Sequence, residues 1–162
     1  MKNSIIMDEP GDKKLVVNFD KEGEEKQIFG LVLGEKKGDY NLEVVVDHRA
    51  PDTKGRVEVR GIARGGAQVS VTGTIKIDKG AQKVDDFLEL RLLILDDKSG
   101  AVAEPKLEIE ANDVRASHAA SVGRLDEDQI YYLMSRGIGR KRSEGMLVDG
   151  FLGVVREKIK KG

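Results

Sequence analysis

Residues 55–77 read GRVEVRGIARGGAQVSVTGTIKI, and their rhythm decides the fold class. In Val57-Glu58-Val59-Arg60 and in Val69-Ser70-Val71-Thr72 every second residue is apolar, and those between are charged or hydroxylic. Successive side chains of a strand point to opposite faces, so each run packs one side and wets the other. Gly65-Gly66 separates the two runs as a turn.

The pattern extends both ways. Upstream lie KLVVNF (14–19), QIFGLVL (27–33) and NLEVVV (41–46); downstream lie FLELRLLIL (87–95) and KLEIEA (106–111). Gly34, Gly38, Gly80 and Gly100 punctuate them. The centres of the runs are roughly 12–15 residues apart. Two such steps would make one coil of a β-solenoid, whose repeats span about 20–50 residues. Short strands of similar spacing also build sandwiches and barrels. No identical motif recurs in each coil, so patterning alone leaves sandwich and solenoid open.

From Leu125 the period becomes helical. Asp126-Glu127-Asp128-Gln129 reads as a capping box, with Asp126 accepting from free backbone N–H groups and Gln129 reaching back. Ile130, Leu133 and Met134 follow on one face, and Gly137 is the stop. A second helix is expected to open near Ser143, with Leu147, Phe151, Val155 and Ile159 recurring every four residues beside Leu152 and Val154. Arg140, Lys141 and Arg142 precede that stripe; Lys158, Lys160 and Lys161 follow it, where cations suit the helix dipole. The expected organisation is a β-domain over 1–123 and a helical region over 124–162.

Composition excludes much. A chain of 162 residues fits one domain with a real core. With 28 Lys+Arg against 29 Asp+Glu, the net charge of −1 lacks the basicity of a general nucleic-acid binder. At 4% aromatic residues a stacking platform for single strands is not expected either. The absence of cysteine excludes disulfides, thiolate zinc sites, a cysteine nucleophile and any iron–sulfur cluster held by this chain's own thiolates. Two histidines, His48 and His118, are too few for a His-rich metal site. The opening MKNSIIMDEPGDKK has no apolar stretch long enough for a secretory signal, and no eighteen apolar residues run together. The expected address is the cytoplasm, away from membranes.

Chemical motifs are sparse. Arg64-Gly65-Gly66-Ala67 lacks the Gly-Lys-Ser/Thr end of a phosphate loop, and no helical pattern follows Gly61–Gly66 as a dinucleotide fingerprint requires. Glu108 and Glu110 share the wet face of one strand, where a solvated surface is the ordinary reading. His118, in Ala116-Ser117-His118-Ala119-Ala120-Ser121, has small neighbours that leave room for another chain or an ion. A hydrogen-bonded junction histidine is the alternative. His48, before Arg49-Ala50-Pro51, reads as a turn residue.

Four segments in order carry a resemblance: HRAPDT (48–53), RGGAQVSVTGTIKI (64–77), GAQKVDDF (80–87) and EPKLEIEANDVRASHAASVGRLDEDQIYYLMSRGI (104–138). From about Asp47 to Ile159 the chain resembles the SufB/SufD family of the SUF iron–sulfur cluster assembly machinery, on its SufD side. The resemblance implies a right-handed parallel β-helix with a C-terminal helical hairpin. It implies a non-catalytic subunit that pairs through the β-helix with a SufB-like subunit or a second copy. It further implies that the helical region docks a SufC-type ATPase, for which Met146, Leu147, Phe151 and Val155 are the candidate surface.

His118 falls on the SufD histidine implicated in cluster formation at the subunit interface, which makes it the candidate iron ligand. Any cluster is then transient and shared with a partner, with none held stably by this chain alone. Where the SufB side carries its key cysteine this chain has Ser99, and where SufB has a glutamate beside the histidine it has Ala119. A hydroxyl is a poor ligand for soft iron–sulfur iron. One rival is a self-associating β-helix that has lost cluster chemistry. Another is an enzyme using exposed carboxylates such as Glu108 and Asp113. Against longer family members, the expected missing part is an N-terminal entry domain and the first coils. The first forty residues, with the charged turn Lys21–Lys26, would then form the opening coil or cap.

Overall fold

The alternating runs become nine strands, which a computed structural model describes together with two helices over residues 2–161. The strands are β1 (Lys2–Met7), β2 (Gly11–Phe19), β3 (Glu25–Gly34), β4 (Gly38–His48), β5 (Lys54–Ala63), β6 (Ala67–Ile77), β7 (Asp85–Ile94), β8 (Gly100–Ile109) and β9 (Arg115–Gly123). Odd strands form one sheet in the order β1-β3-β5-β7-β9, and even strands form the other, β2-β4-β6-β8. Every described pairing is parallel.

Consecutive strands therefore lie in different sheets, and each strand pairs with the one a full coil later. Glu25 pairs with Lys54 and Gly38 with Ala67, a step of 29 residues; Gln68 pairs with Gly100, a step of 32. This is a β-solenoid of four coils plus a ninth strand, and it resolves the sandwich–solenoid alternative. A sandwich would pair its strands antiparallel.

The core lies between the sheets. Ile28, Val57, Val59, Leu88 and Leu90 from one side meet Leu42, Val44, Val69, Val71 and Ile75 from the other. Side-chain size alternates to let the sheets close: a Cβ at Gly73 would stand 2.8 Å from the Leu88 side chain. Strand β3 is buried on both faces because a helix covers its outside. Phe29, Leu31 and Ile62 on the outer face of the odd sheet pack against Val148, Leu152 and Val155.

Those last residues belong to α2 (Arg140–Lys160), which follows α1 (Glu127–Ser135). Asp126 caps α1, its carboxylate accepting from the Asp128 N–H at 2.9 Å. Gly137, at φ 84°, ends it: its N–H donates to the Met134 carbonyl and the Ile138 N–H to that of Leu133. This paired closure needs a left-handed residue, which explains the glycine. Helix α2 opens at Arg140, three residues before the expected start at Ser143. Ser143 is buried within the first turn and donates its hydroxyl to the Gly139 carbonyl at 3.1 Å, so it is no cap. Among the described residues no helix is long and apolar enough to cross a membrane.

Candidate functional site

At its C-terminal end the described solenoid has two strand edges, those of β8 and β9, with no further strand beside them. The two edges differ. The Glu110 N–H donates to the Ile77 carbonyl, so even-numbered residues of β8 bond inward to β6 and odd-numbered ones face the free edge. Pro105 sits among the latter and removes a donor there. On β9 the Arg115 N–H donates to the Val84 carbonyl, so Ala116, His118, Ala120 and Val122 present free N–H and C=O groups. Between Arg115 and Arg124 this edge carries neither proline nor permanent charge. Natural sheets usually blunt such edges.

His118 occupies the core register of this strand. It pairs with Leu88, a buried core residue, so its imidazole takes the inward side of the sheet yet is exposed at the solenoid's end. Ala116 and Ala120 flank it on the same side. Ala119 pairs with Glu89 on the opposite, outer face.

The helical hairpin is the second candidate surface. Two members of the candidate docking set are corrected by the structure: Val155 is fully buried and Phe151 partly so, both in the cluster that seats α2 on the solenoid. The Phe151 carbonyl also accepts from Arg60 Nη1 at 2.8 Å. A stripe at four-residue spacing reports a buried face, and here the solenoid buries it. Met146 remains 46% exposed, and Leu147 joins Tyr132 and Leu133 in lining a shallow slot between the helices.

His48 is corrected more strongly. It closes β4 rather than a turn, and is wholly buried with Thr53 and Asp86 at 2.7 and 2.8 Å from its two ring nitrogens. Enclosure makes this a structural cluster. Ser99 has a structural role as well. Its hydroxyl accepts from the Gly66 N–H at 3.0 Å and bonds the Asp96 carboxylate, joining two stacked turns. The Gly65 N–H, foremost, and Ser99 hold the Asp96 carboxyl below its ordinary value. Glu108 pairs with Lys76 at 3.2 Å on the outer face of the even sheet, as a solvated face would have it.

The SufBD core domain of SUF-system FeS cluster assembly matches residues 11–151. This chain belongs to the SufB/SufD family. It is 38% identical over 129 residues, 80% of its length, to the iron–sulfur cluster assembly protein SufD of Bacillus subtilis (strain 168). It is 34% identical over 151 residues, 88% of its length, to an iron–sulfur cluster assembly SufBD family protein of Mycobacterium leprae (strain TN). The matches cover 30% and 38% of those relatives, so the chain spans about a third of their length. Within the SufB/SufD core, then, the matched region contains the open β9 edge, His118 and most of the hairpin.

Proposed function

We propose that this chain is a SufD-like, non-catalytic subunit of a cytoplasmic iron–sulfur cluster assembly complex. It pairs through the β9 end of its solenoid with a second β-helix, a SufB-like subunit or another copy, and docks a SufC-type ATPase on its hairpin. The observation that carries this reading is the unblunted β9 edge with His118 in the core register. Pairing there would satisfy the free backbone groups and enclose the imidazole between two chains. The cluster is cargo: His118 supplies one nitrogen jointly with the partner's ligands, and no cluster stays on this chain alone.

A second reading, a structural module without cluster chemistry, is favoured by Ser99, whose hydroxyl is committed to a turn. Anaerobic co-purification followed by cluster reconstitution in the recovered complex separates the two. His118→Ala is expected to keep the partners bound and lower cluster yield; an undiminished yield assigns the structural module.

A further inference from the structure

The chain has eleven arginines, and nine lie within 4.0 Å of a carboxylate. The two without one among the described residues are Arg136 and Arg142, both exposed and on either side of the turn between α1 and α2. Arg136 stands instead over the Tyr132 ring, 5.3 Å from its centroid. Arg142 sits in the first turn of α2 with Arg140 and Lys141, where no acidic residue offsets the positive end of the helix. Gly139, the N-cap, provides no side-chain hydrogen bond.

Cations at that end oppose the helix dipole. The neighbouring helix α1 obeys the rule that α2 breaks, with Asp126 as cap and Glu127 and Asp128 in its first turn. Glu127 and Glu144 offset only Arg140, at 2.7 and 2.9 Å. Local rules broken without local compensation mark sites where something outside the chain supplies it.

Through the Tyr132 ring, Arg136 adjoins an interhelical slot of about 350 Å³, lined by Asp128, Gln129, Tyr132, Leu133 and Leu147. We infer that the turn end of the hairpin docks an acidic, apolar-anchored protein surface, with carboxylates against Arg136 and Arg142 and an apolar side chain in the Tyr132–Leu147 slot. The inference rests on the ATPase-docking reading above and specifies the chemistry of the surface that docks.

The test is calorimetric titration of the full chain with a purified SufC-type ATPase across a series of salt concentrations. Arg136→Gln with Arg142→Gln should weaken binding about tenfold at low salt, with the difference closing at high salt. Leu147→Ala should weaken it at every salt concentration. Thermal melts report whether the variants remain folded. Wild-type binding that the double variant leaves unchanged overturns this inference while the docking reading stands. Failure of the wild type to bind at any salt overturns the docking reading itself.

Discussion

His48 Nε2 lies 2.8 Å from Asp86 Oδ2, and both side chains are fully excluded from solvent. The relationship spans coils: His48 ends β4, Asp86 is the second residue of β7, and the imidazole stacks on Phe19 of β2 at 4.2 Å between centroids. The other ring nitrogen meets Thr53 Oγ1 at 2.7 Å, and that hydroxyl donates to the Ala50 carbonyl at 3.3 Å. Among the described residues Asp86 Oδ1 has no hydrogen-bond partner, and a Cβ at Gly55 would collide with its carboxylate. Isolated charge in such a place is costly, so each partner depends on the other.

Removing one partner therefore costs more than removing both. His48→Leu or Asp86→Leu alone is expected to destabilise the chain by about 3–5 kcal/mol, and the double substitution by clearly less than the sum. Urea unfolding of the three variants measures it. Additive losses would mean that the pair contributes no mutual stabilisation.

The corner between the even strands and the odd strands that follow is built on left-handed residues. Gly23, Asp52 and Lys83, at φ 73°, 58° and 59°, donate their N–H groups to Pro51, Gln82 and Asp113 carbonyls of the next coil. Left-handed backbone costs an L-residue about 1–2 kcal/mol, and aspartate tolerates it better than lysine. Lys83→Gly should raise stability by roughly 0.5–1 kcal/mol and Asp52→Gly by less, while Gly23→Ala lowers it. Thermal melts that reverse this order would refute the strain argument.

The free edge of β9 can be closed without touching its ladder to β7. Ala120 presents its N–H outward, so Ala120→Pro deletes a donor needed only by an incoming strand. The monomer should keep its melting temperature within about 2–4 °C, while pairing with a second β-helix is lost in analytical ultracentrifugation. Retained pairing would move the interface off β9.

Asp96 gives the stacked turns an acid dependence. The Gly65 N–H at 2.5 Å, then the Ser99 hydroxyl, hold its carboxyl below the ordinary value when folded. A lowered folded value means the contribution is fully present above the usual carboxylate range, near about 4, and is lost as pH falls below it. Asp96→Asn should therefore be less stable than wild type at pH 7, with the two curves converging at acid pH. A constant gap across the titration would remove Asp96 from the acid response.

Legibility in the sequence follows how local the physics is. The alternation at Val57–Arg60 located a strand, since period two is a property of one chain segment. Parallel pairing was not legible there, because the same period serves both directions; resemblance to the SufB/SufD family supplied it. The spacing of Phe151, Val155 and Ile159 identified a buried face, but not what would bury it. His48 read as a turn residue because Arg49-Ala50-Pro51 is local, whereas Asp86 lies 38 residues away. The solenoid repeat is what brings them together.

The exposed face of α2 provides a last test, through residues whose local cost is known. Gly150 and Gly153 lie four and seven positions after Met146 on one helix face, and a Cβ at either would meet nothing within 4 Å. Interior helical glycine is about 1 kcal/mol worse than alanine. Gly150→Ala with Gly153→Ala should thus raise the melting temperature by roughly 4–8 °C. If the ATPase packs closely on this bare backbone, the same double variant binds it more weakly, so stability and docking move in opposite directions. A higher melting temperature with unchanged affinity would confine the contact to the Tyr132–Leu147 slot and the arginines beside it.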